Sequence, residues 1–384
     1  MLFDAHAAVQ SLYIHWPFCP YKCHFCPFVA FAGRDSFMQQ YHEALTAEIR
    51  TFGVQINKKF PITTIFFGGG TPSTYPDELL LDMFVTLKEV FILDTSCEIT
   101  LEVNPGTVRI PEQLMWWQSL GINRLSIGVQ SLNEKVLKQL NRHQSSQDVF
   151  ALIEQASRFI ENISVDLILG LPGVTNNEWK ELLAQVVKWP IRHISLYFLM
   201  VHEDTPLYFK VHKKQVILTE DTELVELYYW SQKFLASHGF MQYEMSNFAR
   251  PGYECRHNQV YWDRKSYKGF GVGACSFDGV CRFENEKRLP IYLEEAVQQK
   301  DLTRYHEQLT DKQIILEKLM LGLRRSIGVS LTSIVSLLTE KEREKFLEQI
   351  KILKHEQLVC EKDGILTLTP QGLVVENEIV VKLW

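Results

Sequence analysis

The stretch that decides the fold is Cys19-Pro20-Tyr21-Lys22-Cys23-His24-Phe25-Cys26, which directly follows the apolar run Ser11–Trp16. It brings together three of the eight cysteines of this 384-residue chain, and such crowding favours metal binding over disulfide bonds. A C-x3-C-x2-C spacing lets three thiolates hold one side of a 4Fe-4S cluster. The fourth iron then lacks a protein ligand and is open to the amine and carboxylate of an amino acid.

Zinc is the alternative occupant, with His15 or His24 as a fourth ligand in a closed tetrahedral site. Structural zinc sites usually take ligands in pairs from separate segments, whereas these three cysteines share one loop. The spacing therefore favours the cluster. Five further cysteines are scattered and are expected as small buried hydrophobes without a metal role: Cys97, Cys255, Cys275, Cys281 and Cys360.

Short β-rich runs alternate with helical patterns through the first 240 residues, which is typical of a parallel sheet built from βα units. Ser36 is expected as the N-cap of the first helix, with Gly53 just past its end. The six predicted strands are Ser11–Trp16, Thr63–Phe67, Glu98–Val103, Arg124–Ile127, Ser164–Leu169 and His193–Phe198. The fold class is thus α/β, a partial (βα)6 barrel.

Polar side chains and glycines cluster where these strands end, which is the edge that carries the chemistry in barrel-type α/β folds. The cysteine loop follows the first strand and Gly68-Gly69-Gly70-Thr71 follows the second. Glu102 and Asn104 end the third, Gln130 ends the fourth, and Asp166 lies in the fifth. The pattern predicts a site at the mouth of the barrel.

Each of these residues also has a plainer interpretation. The three glycines allow backbone to approach a ligand closely, but they also suit a simple tight turn. Glu102 and Asp166 suit the hydroxyl or amine groups of a ligand, but barrel-mouth carboxylates are also neutralised by neighbouring groups. Arg142 is expected, together with Gln130, to bind the carboxylate of the ligand. The alternative is that Arg142 is a charged residue on the surface of a helix.

The chain divides into three expected domains. Residues 1–240 form the partial barrel, and residues 241–300, rich in glycine and aromatic residues, form a cap. Residues 301–384 show helical patterns followed by two short strands, an order typical of a winged-helix-like module.

Charge and hydropathy limit the partners. With 40 Lys and Arg against 46 Asp and Glu, the chain has no polybasic surface. The last 84 residues carry 12 Lys and Arg against 13 Asp and Glu, which disfavours a nucleic-acid-binding role for that module. The longest apolar runs are too short to span a membrane, and the start of the chain does not resemble a signal peptide. We expect a cytoplasmic protein.

Seven segments in order resemble the HemN/HemW group of radical S-adenosylmethionine (radical SAM) proteins, over nearly the whole chain: LYIHWPFCPYKCHFCPF, TIFFGGGTPS, EITLEVNPGT, GINRLSIGVQS, VDLILGLPG, YEMSNFARPG and HNQVYW. The resemblance implies a 4Fe-4S cluster, S-adenosylmethionine and haem as cofactors. It assigns the cluster to Cys19, Cys23 and Cys26. It also implies a cofactor-binding set of Tyr13, Gly69, Gly70, Thr71, Glu102, Gln130, Arg142, Asp166 and His257.

The group has two branches, the oxygen-independent coproporphyrinogen III dehydrogenases and the HemW-type haem chaperones. The dehydrogenases carry a fourth cysteine where this chain has Phe28, and a longer N-terminal extension than the 18 residues that precede Cys19. The segment His257–Trp262 is similar to the HNxxYW motif of the chaperone branch. The resemblance implies His257 as a haem-iron ligand, with Tyr261 and Trp262 packing on the macrocycle; a satisfied core histidine is the alternative.

Two departures from the group stand out. Pro27 replaces an acidic residue after the third cysteine, and His143 follows Arg142 directly where the relatives place it one residue later. The second departure weakens the assignment of Arg142.

The resulting expectation is a haem carrier that delivers haem to an apo-haemoprotein, with peripheral contact to membrane haemoproteins as one setting. The alternative is an enzyme, a radical SAM oxidative decarboxylase acting on coproporphyrinogen III. A metal-containing nucleic-acid binder is the third class, disfavoured by the charge count.

Overall fold

The computed structural model describes residues 3–4, 7–56 and 60–384, so the rest of the expected 1–240 domain lies outside the described residues. The strands are β1 Ser11–Trp16, β2 Phe18–Cys19, β3 Phe31–Ala32, β4 Ile62–Gly69, β5 Leu93–Val103, β6 Arg124–Gln130, β7 Asn162–Leu169, β8 His193–Phe198, β9 Met241–Glu244, β10 Asn247–Ala249, β11 Lys268–Phe270, β12 Cys275–Phe277, β13 Cys281–Asn285, β14 Thr303–Gln308, β15 Val329–Ser330, β16 Val359–Lys362 and β17 Ile365–Leu368.

The helices are α1 Met38–Gln55, α2 Asp77–Val90, α3 Glu112–Leu120, α4 Glu134–Gln139, α5 Ser146–Ala156, α6 Asn176–Val186, α7 Pro206–His212, α8 Asp221–Ser237, α9 Arg256–Trp262, α10 Leu289–Val297, α11 Asp311–Leu323, α12 Leu331–Val335, α13 Glu340–His355, α14 Pro370–Leu373 and α15 Glu376–Leu383. Single 3-10 turns lie at Asp35–Phe37, Pro72–Thr74 and Pro105–Thr107.

One nine-stranded sheet organises the molecule, in the order β11-β1-β4-β5-β6-β7-β8-β10-β9. The strands from β11 to β8 run parallel, and β10 and β9 are antiparallel to their neighbours. Helices follow the parallel strands, as right-handed βα units require. All six predicted strands are present, which confirms the α/β class with a parallel sheet of strands. The third is longer than predicted, beginning at Leu93.

The prediction for the start and end of the first helix is wrong. A 3-10 turn at Asp35–Phe37 precedes α1, so Ser36 lies inside that turn and is not the N-cap. Gly53 lies within the last turns of α1 and does not follow it. The reason for a glycine there is packing, because a Cβ atom at this position would lie 2.2 Å from Val90 Cγ1 at the end of α2.

Residues 241–300, expected as a cap, supply strands to the main sheet. β9 and β10 extend it beyond β8, and β11 pairs with β1 at the other edge. The same segment gives β12 and β13, which join β14 in a separate three-stranded antiparallel sheet. This part of the chain is therefore hydrogen-bonded to both edges of the barrel.

The C-terminal residues form a compact unit with its own apolar core. That core lies between α11, α13 and α15 and includes Leu319, Phe346, Leu353 and Leu366. A three-stranded sheet, β15-β17-β16, completes it. In the part of the chain that the structure describes, four helix N-termini, including those of α11 and α13, carry full capping boxes.

Among residues 3–4, 7–56 and 60–384, no helix is both long enough and apolar enough to cross a bilayer.

Gly53→Leu tests the close contact between α1 and α2. The larger side chain overpacks the buried contact with Val90, so we expect the free energy of unfolding to fall by about 1–3 kcal/mol. Val54→Leu is the matched control, because Val54 is 88% exposed and its enlargement should change stability by less than about 0.5 kcal/mol. Equal thermal stability of the two variants would contradict the packing argument.

Candidate functional site

A cleft of about 360 Å³ opens at the carboxyl edge of the parallel strands. It brings together ten of the twelve predicted site residues: Cys19, Cys23, Cys26, Gly69, Gly70, Thr71, Glu102, Gln130, Arg142 and Asp166. They lie in β2 and the cysteine loop after it, in or just after β4, β5, β6 and β7, and, for Arg142, in the connection between α4 and α5. The parallel topology thus gathers residues that are far apart in the sequence.

The glycine segment lets the end of β4 lie directly against the end of β1. A Cβ atom on Gly70 would lie 2.6 Å from the carbonyl carbon of Pro17, and one on Gly69 would lie 2.4 Å from the His15 ring. Gly69 also has a positive φ of 113°, which favours glycine. Because the strands approach so closely, Thr71 N–H donates to Phe18 O at 2.9 Å, next to Cys19.

Two of the three cysteine sulfurs receive hydrogen bonds from predicted site residues. The Thr71 hydroxyl donates to Cys19 Sγ at 3.3 Å, and Arg142 Nη1 donates to Cys23 Sγ at 3.7 Å. Burial raises the pKa of the Cys19 thiol to about 11 and also raises that of Cys26. These donors are suited to stabilise sulfur that carries negative charge.

The sequence predicts that Arg142 binds a ligand carboxylate, but in the structure its guanidinium is hydrogen-bonded within the protein. Its Nε donates to Gln144 Oε1 at 2.9 Å, and its Nη2 donates to Gly128 O. With Cys23 on Nη1, all three guanidinium nitrogens have partners within the protein. Arg142 is thus buried, with its guanidinium against the Cys23 sulfur.

The geometry disfavours a zinc site with a histidine ligand. Both ring nitrogens of His15 are engaged, Nδ1 with the Tyr13 hydroxyl at 3.0 Å and Nε2 with Val29 O at 2.8 Å. Nδ1 of His24 lies 3.2 Å from Gln139 O. Within the described parts of the chain, no three His, Cys, Asp or Glu side chains converge on a point suited to a single metal ion. Thiolates that bind separate irons of a cluster need no such convergence.

Two carboxyl groups form the floor of the cleft. Glu102 accepts a hydrogen bond from Gly69 N–H at 3.1 Å, and Asp166 accepts from the Ser126 hydroxyl. Desolvation, and then the nearby charge of Asp166, raise the pKa of Glu102 to about 8. Desolvation also raises the pKa of Asp166. Such paired, shifted carboxyls are typical of functional sites.

Tyr13 and His257 lie in a separate inner cavity of about 180 Å³, deeper in the barrel. Glu102 and Asp166 line both spaces, so these carboxyls separate the cleft from the inner cavity. Arg124, only 2% exposed, lies in the wall of the inner cavity. Tyr13 and His257 are therefore one layer away from the other predicted residues.

His257 has the surroundings of a satisfied core histidine. Its Nδ1 pairs with the Thr64 hydroxyl and its Nε2 with the Tyr261 hydroxyl, both at 2.8 Å. Burial, reinforced by the charge of Arg124, lowers the pKa of His257 to about 3, so the imidazole is neutral near pH 7. In this arrangement both ring nitrogens of His257 are hydrogen-bonded within the protein, so binding of iron by His257 stays a prediction.

Polar residues outside the predicted cofactor-binding set also belong to the site: Asn104, which the strand-end pattern indicates, and Ser126 and Tyr197, which it does not. Asn104 donates to the Tyr21 hydroxyl at 2.7 Å, and this hydroxyl donates to His143 O at 3.2 Å, which anchors the cysteine loop. Ser126 and Tyr197 also line the cleft. Alternation along the strand was a usable signal for Ser126, because it pairs in register with Glu102 and therefore faces the same side of the sheet.

Comparison with known proteins agrees with this architecture. The family model of the radical SAM superfamily matches residues 13–186. The solved structure of coproporphyrinogen III oxidase HemN from Escherichia coli superposes with a TM-score of 0.84, covering 99% of this chain and 90% of that one. At 24% sequence identity, this likeness concerns the fold.

Sequence relatives extend over almost the full chain. The heme chaperone HemW of Bacillus subtilis is 31% identical, covering 97% of this chain and 98% of its own length. The chain belongs to the HemW family of radical SAM proteins. A second HemW, from Synechocystis, is 32% identical and covers 97% of this chain and 96% of its own length. The mitochondrial radical S-adenosyl methionine domain-containing protein 1 of Danio rerio is 32% identical over 85% of this chain.

Membership of the HemW family implies a 4Fe-4S cluster and S-adenosylmethionine. The donor set at the mouth of this barrel fits both, because it offers three sulfurs on one loop and carboxyl and amide groups opposite. Phe28, where the dehydrogenase branch carries its fourth cysteine, lines the same cleft and is 62% exposed.

The raised pKa of Glu102 leads to a spectroscopic prediction. In cofactor-free protein, the C=O band of a protonated carboxyl should disappear as the pH is raised from about one unit below this pKa to about one unit above it, measured by infrared difference spectroscopy. Because the charge of Asp166 contributes to the shift, Asp166→Asn should move the transition to lower pH. Asp82→Asn, at an exposed carboxylate beside His42, is the matched control. A band that persists in Glu102→Gln would belong to another group.

Proposed function

We propose that this protein is a haem carrier that binds haem and passes it to an acceptor haemoprotein. The observation that carries the proposal is the match, over nearly the whole of both chains, to relatives described as heme chaperone HemW. Phe28 supports it, because a phenylalanine cannot provide the fourth thiol of the dehydrogenase branch.

Cys19, Cys23 and Cys26 are the proposed ligands of the 4Fe-4S cluster. The loop that carries them is held at several points: His24 N–H donates to Leu140 O at 2.9 Å, and Asn141 Nδ2 donates to Lys22 O at 2.9 Å. Its sulfurs face the cleft, with hydrogen-bond donors from Thr71 and Arg142 on the protein side. A loop fixed in this way loses little conformational entropy when a cluster is bound.

S-adenosylmethionine is proposed to bind in the part of the cleft that the cluster leaves open. Gly69, Gly70 and Thr71 form one wall, and Glu102 and Asp166 offer acceptors for hydroxyl or ammonium groups. Gln130 has a positive φ of 64°, a strained conformation for a residue other than glycine, and its amide lines the cleft. When bound, the cluster and S-adenosylmethionine together supply one-electron chemistry.

The barrel has limited room for a tetrapyrrole substrate. Once S-adenosylmethionine fills the cleft, the adjoining inner cavity offers about 180 Å³, less than the roughly 300–1,000 Å³ of pockets that enclose drug-sized ligands. Arg124, Tyr13 and His257 take up much of the space around it. This supports the carrier over coproporphyrinogen III decarboxylation inside the barrel.

The role proposed for His257 is narrower than the sequence suggests. Direct ligation of iron would require it to give up its hydrogen bonds to Thr64 and Tyr261, each a buried pair. Losing such bonds typically costs about 1–3 kcal/mol each. We propose that His257 acts by holding the Tyr261 hydroxyl, with haem bound elsewhere.

The proposed partners are haem and an apo-haemoprotein, and the proposed location is the cytoplasm. The acceptor can also be a membrane haemoprotein that this protein contacts from the membrane surface. The near-balanced charge of residues 301–384 supports a docking or structural role for the C-terminal unit over nucleic-acid binding.

Single replacement of Cys19, Cys23 or Cys26 by Ala should abolish the visible absorption of the reconstituted cluster and lower bound iron severalfold, because no neighbouring group replaces the lost thiolate. Cys97→Ala is the matched control, since Cys97 is buried on β5 outside the cleft. Full cluster occupancy in Cys23→Ala would refute the assignment.

The wild-type protein, reconstituted without oxygen, should bind haem with a distinct Soret band and should not convert coproporphyrinogen III to protoporphyrinogen. The measurement compares absorption spectra with product analysis in parallel vessels, with a coproporphyrinogen III dehydrogenase as positive control. Formation of protoporphyrinogen would favour the enzyme, and absence of any haem complex would refute the carrier.

A further inference from the structure

A second cavity, of about 370 Å³, lies outside the barrel. It is bounded by the three-stranded sheet β12-β13-β14, by the end of α9 and the loop after it, and by α11. Five aromatic residues line it: Tyr261, Tyr267, Phe277, Phe283 and Tyr305. The cavity shares only Tyr261 with the inner cavity and no residue with the cleft.

Strand register places several lining residues of this outer cavity on one face of the sheet. Cys275 and Phe277 lie on the same face of β12. On β13, Glu284 pairs with Cys275 and Arg282 pairs with Phe277. Tyr305 on β14 pairs in turn with Glu284. Since side chains that pair in register share a face, the sheet presents a surface about three strands wide. A planar ligand can lie against it.

Arg264 supplies an unused hydrogen-bond donor in the wall. Its side chain is 9% exposed, its Nε donates to Glu317 at 2.8 Å, and its guanidinium lies 5.2 Å from the centre of the Phe277 ring. Nη2 of Arg264 is buried and has no hydrogen-bond partner. A buried guanidinium N–H without an acceptor is costly, so this group is suited to receive one from a ligand.

The backbone and the local charge support the same interpretation. Arg264 has a φ of 51°, an uncommon left-handed conformation for arginine. Arg282 shares the Glu317 carboxylate at 2.8 Å, so two guanidiniums meet one carboxylate and leave one positive charge in the wall. The other charged lining residues are paired outside this group, Lys265 with Asp263 and Glu284 with Lys287. Aromatic surfaces beside this excess positive charge suit a flat apolar ligand that carries a carboxylate.

We infer that this outer cavity, bounded by Arg264, Tyr261 and the β12-β13-β14 sheet, binds the tetrapyrrole of the carrier. The inference rests on the proposed haem-carrier function and specifies its site. A carboxylate of the porphyrin accepts from Arg264 Nη2, and the macrocycle lies against the sheet and the tyrosine rings. Tyr261, held by His257, links the HNxxYW segment to the ligand without any bond between His257 and iron.

Alkylation of cysteines tests the site in the unmodified protein. Cys275 is exposed in the cavity floor, and Cys360 is exposed on β16, outside the cavity. Haem bound in the cavity should slow labelling of Cys275 at least about tenfold, measured by mass spectrometry, and leave Cys360 unchanged. Because desolvation raises the pKa of Cys275, labelling is best done at mildly alkaline pH. Unchanged labelling of Cys275 at haem saturation overturns the inference.

Arg264→Gln gives an independent measurement. Loss of a charge-assisted hydrogen bond should weaken haem binding at least about tenfold, with cluster absorption unchanged. Arg256→Gln is the matched control, since Arg256 is an exposed arginine of α9 outside the cavity. Circular dichroism checks that Arg264→Gln is folded; if it is not, the alkylation result decides.

Haem and its ester together distinguish an error in this binding site from an error in the proposed carrier function. Haem dimethyl ester, whose carboxylates are blocked, should protect Cys275 less than haem does, and equal protection contradicts the role of Arg264. If the wild type binds no haem at all, the carrier function itself fails. If it binds haem with Cys275 unprotected, the carrier stands and this site is wrong.

Discussion

The close approach of the end of β4 to the end of β1 is the constraint on which the site depends. Gly69 and Gly70 have no side chains, so the two backbones meet at distances that any Cβ atom would prevent. This contact brings Thr71 beside the cysteine loop, where its backbone bonds to Phe18 and its hydroxyl to Cys19. The glycines thus serve packing first, and the open cleft beside them is a consequence.

Burial of charge inside the barrel sets the electrostatics of that cleft. Arg124 is enclosed next to Glu102 and Asp166, and its Nε lacks a hydrogen-bond partner. The positive charge offsets part of the desolvation of the two carboxyls, yet the pKa values of both remain raised. A cationic ligand above them would favour their ionised forms, so binding and deprotonation are coupled in the direction of proton release.

Much of the architecture follows from the sequence, because buried parallel strands are continuous apolar runs and their carboxyl ends meet at one edge. That reasoning placed nine of the twelve predicted site residues, all except Arg142, Tyr13 and His257, at the mouth of the barrel without knowledge of their contacts. Tyr13 and His257 entered the predicted set only through the family resemblance, and the structure places both in the inner cavity. The partners of Arg142 were likewise beyond sequence patterns.

The remaining errors arise from contacts between distant segments. Gly53 looked like a helix end because glycine is common there, but its environment is set by Val90 on another helix. Strands β9, β10 and β11 are only three or four residues long, and they exist because their hydrogen-bond partners are at the sheet edges. No local pattern of that length distinguishes a strand from a loop.

Helix α9 lies between the inner cavity and the outer cavity. At its start, the Glu98 carboxylate accepts from the backbone N–H groups of Arg256 and His257, which fixes the helix to β5. At its end, Asp263 pairs with Arg325 just after α11. Between these anchors, His257 faces the inner cavity and Tyr261 borders both the inner and the outer cavity. A ligand that displaces Tyr261 would therefore act on the barrel interior through one hydrogen bond, the one between the Tyr261 hydroxyl and His257 Nε2.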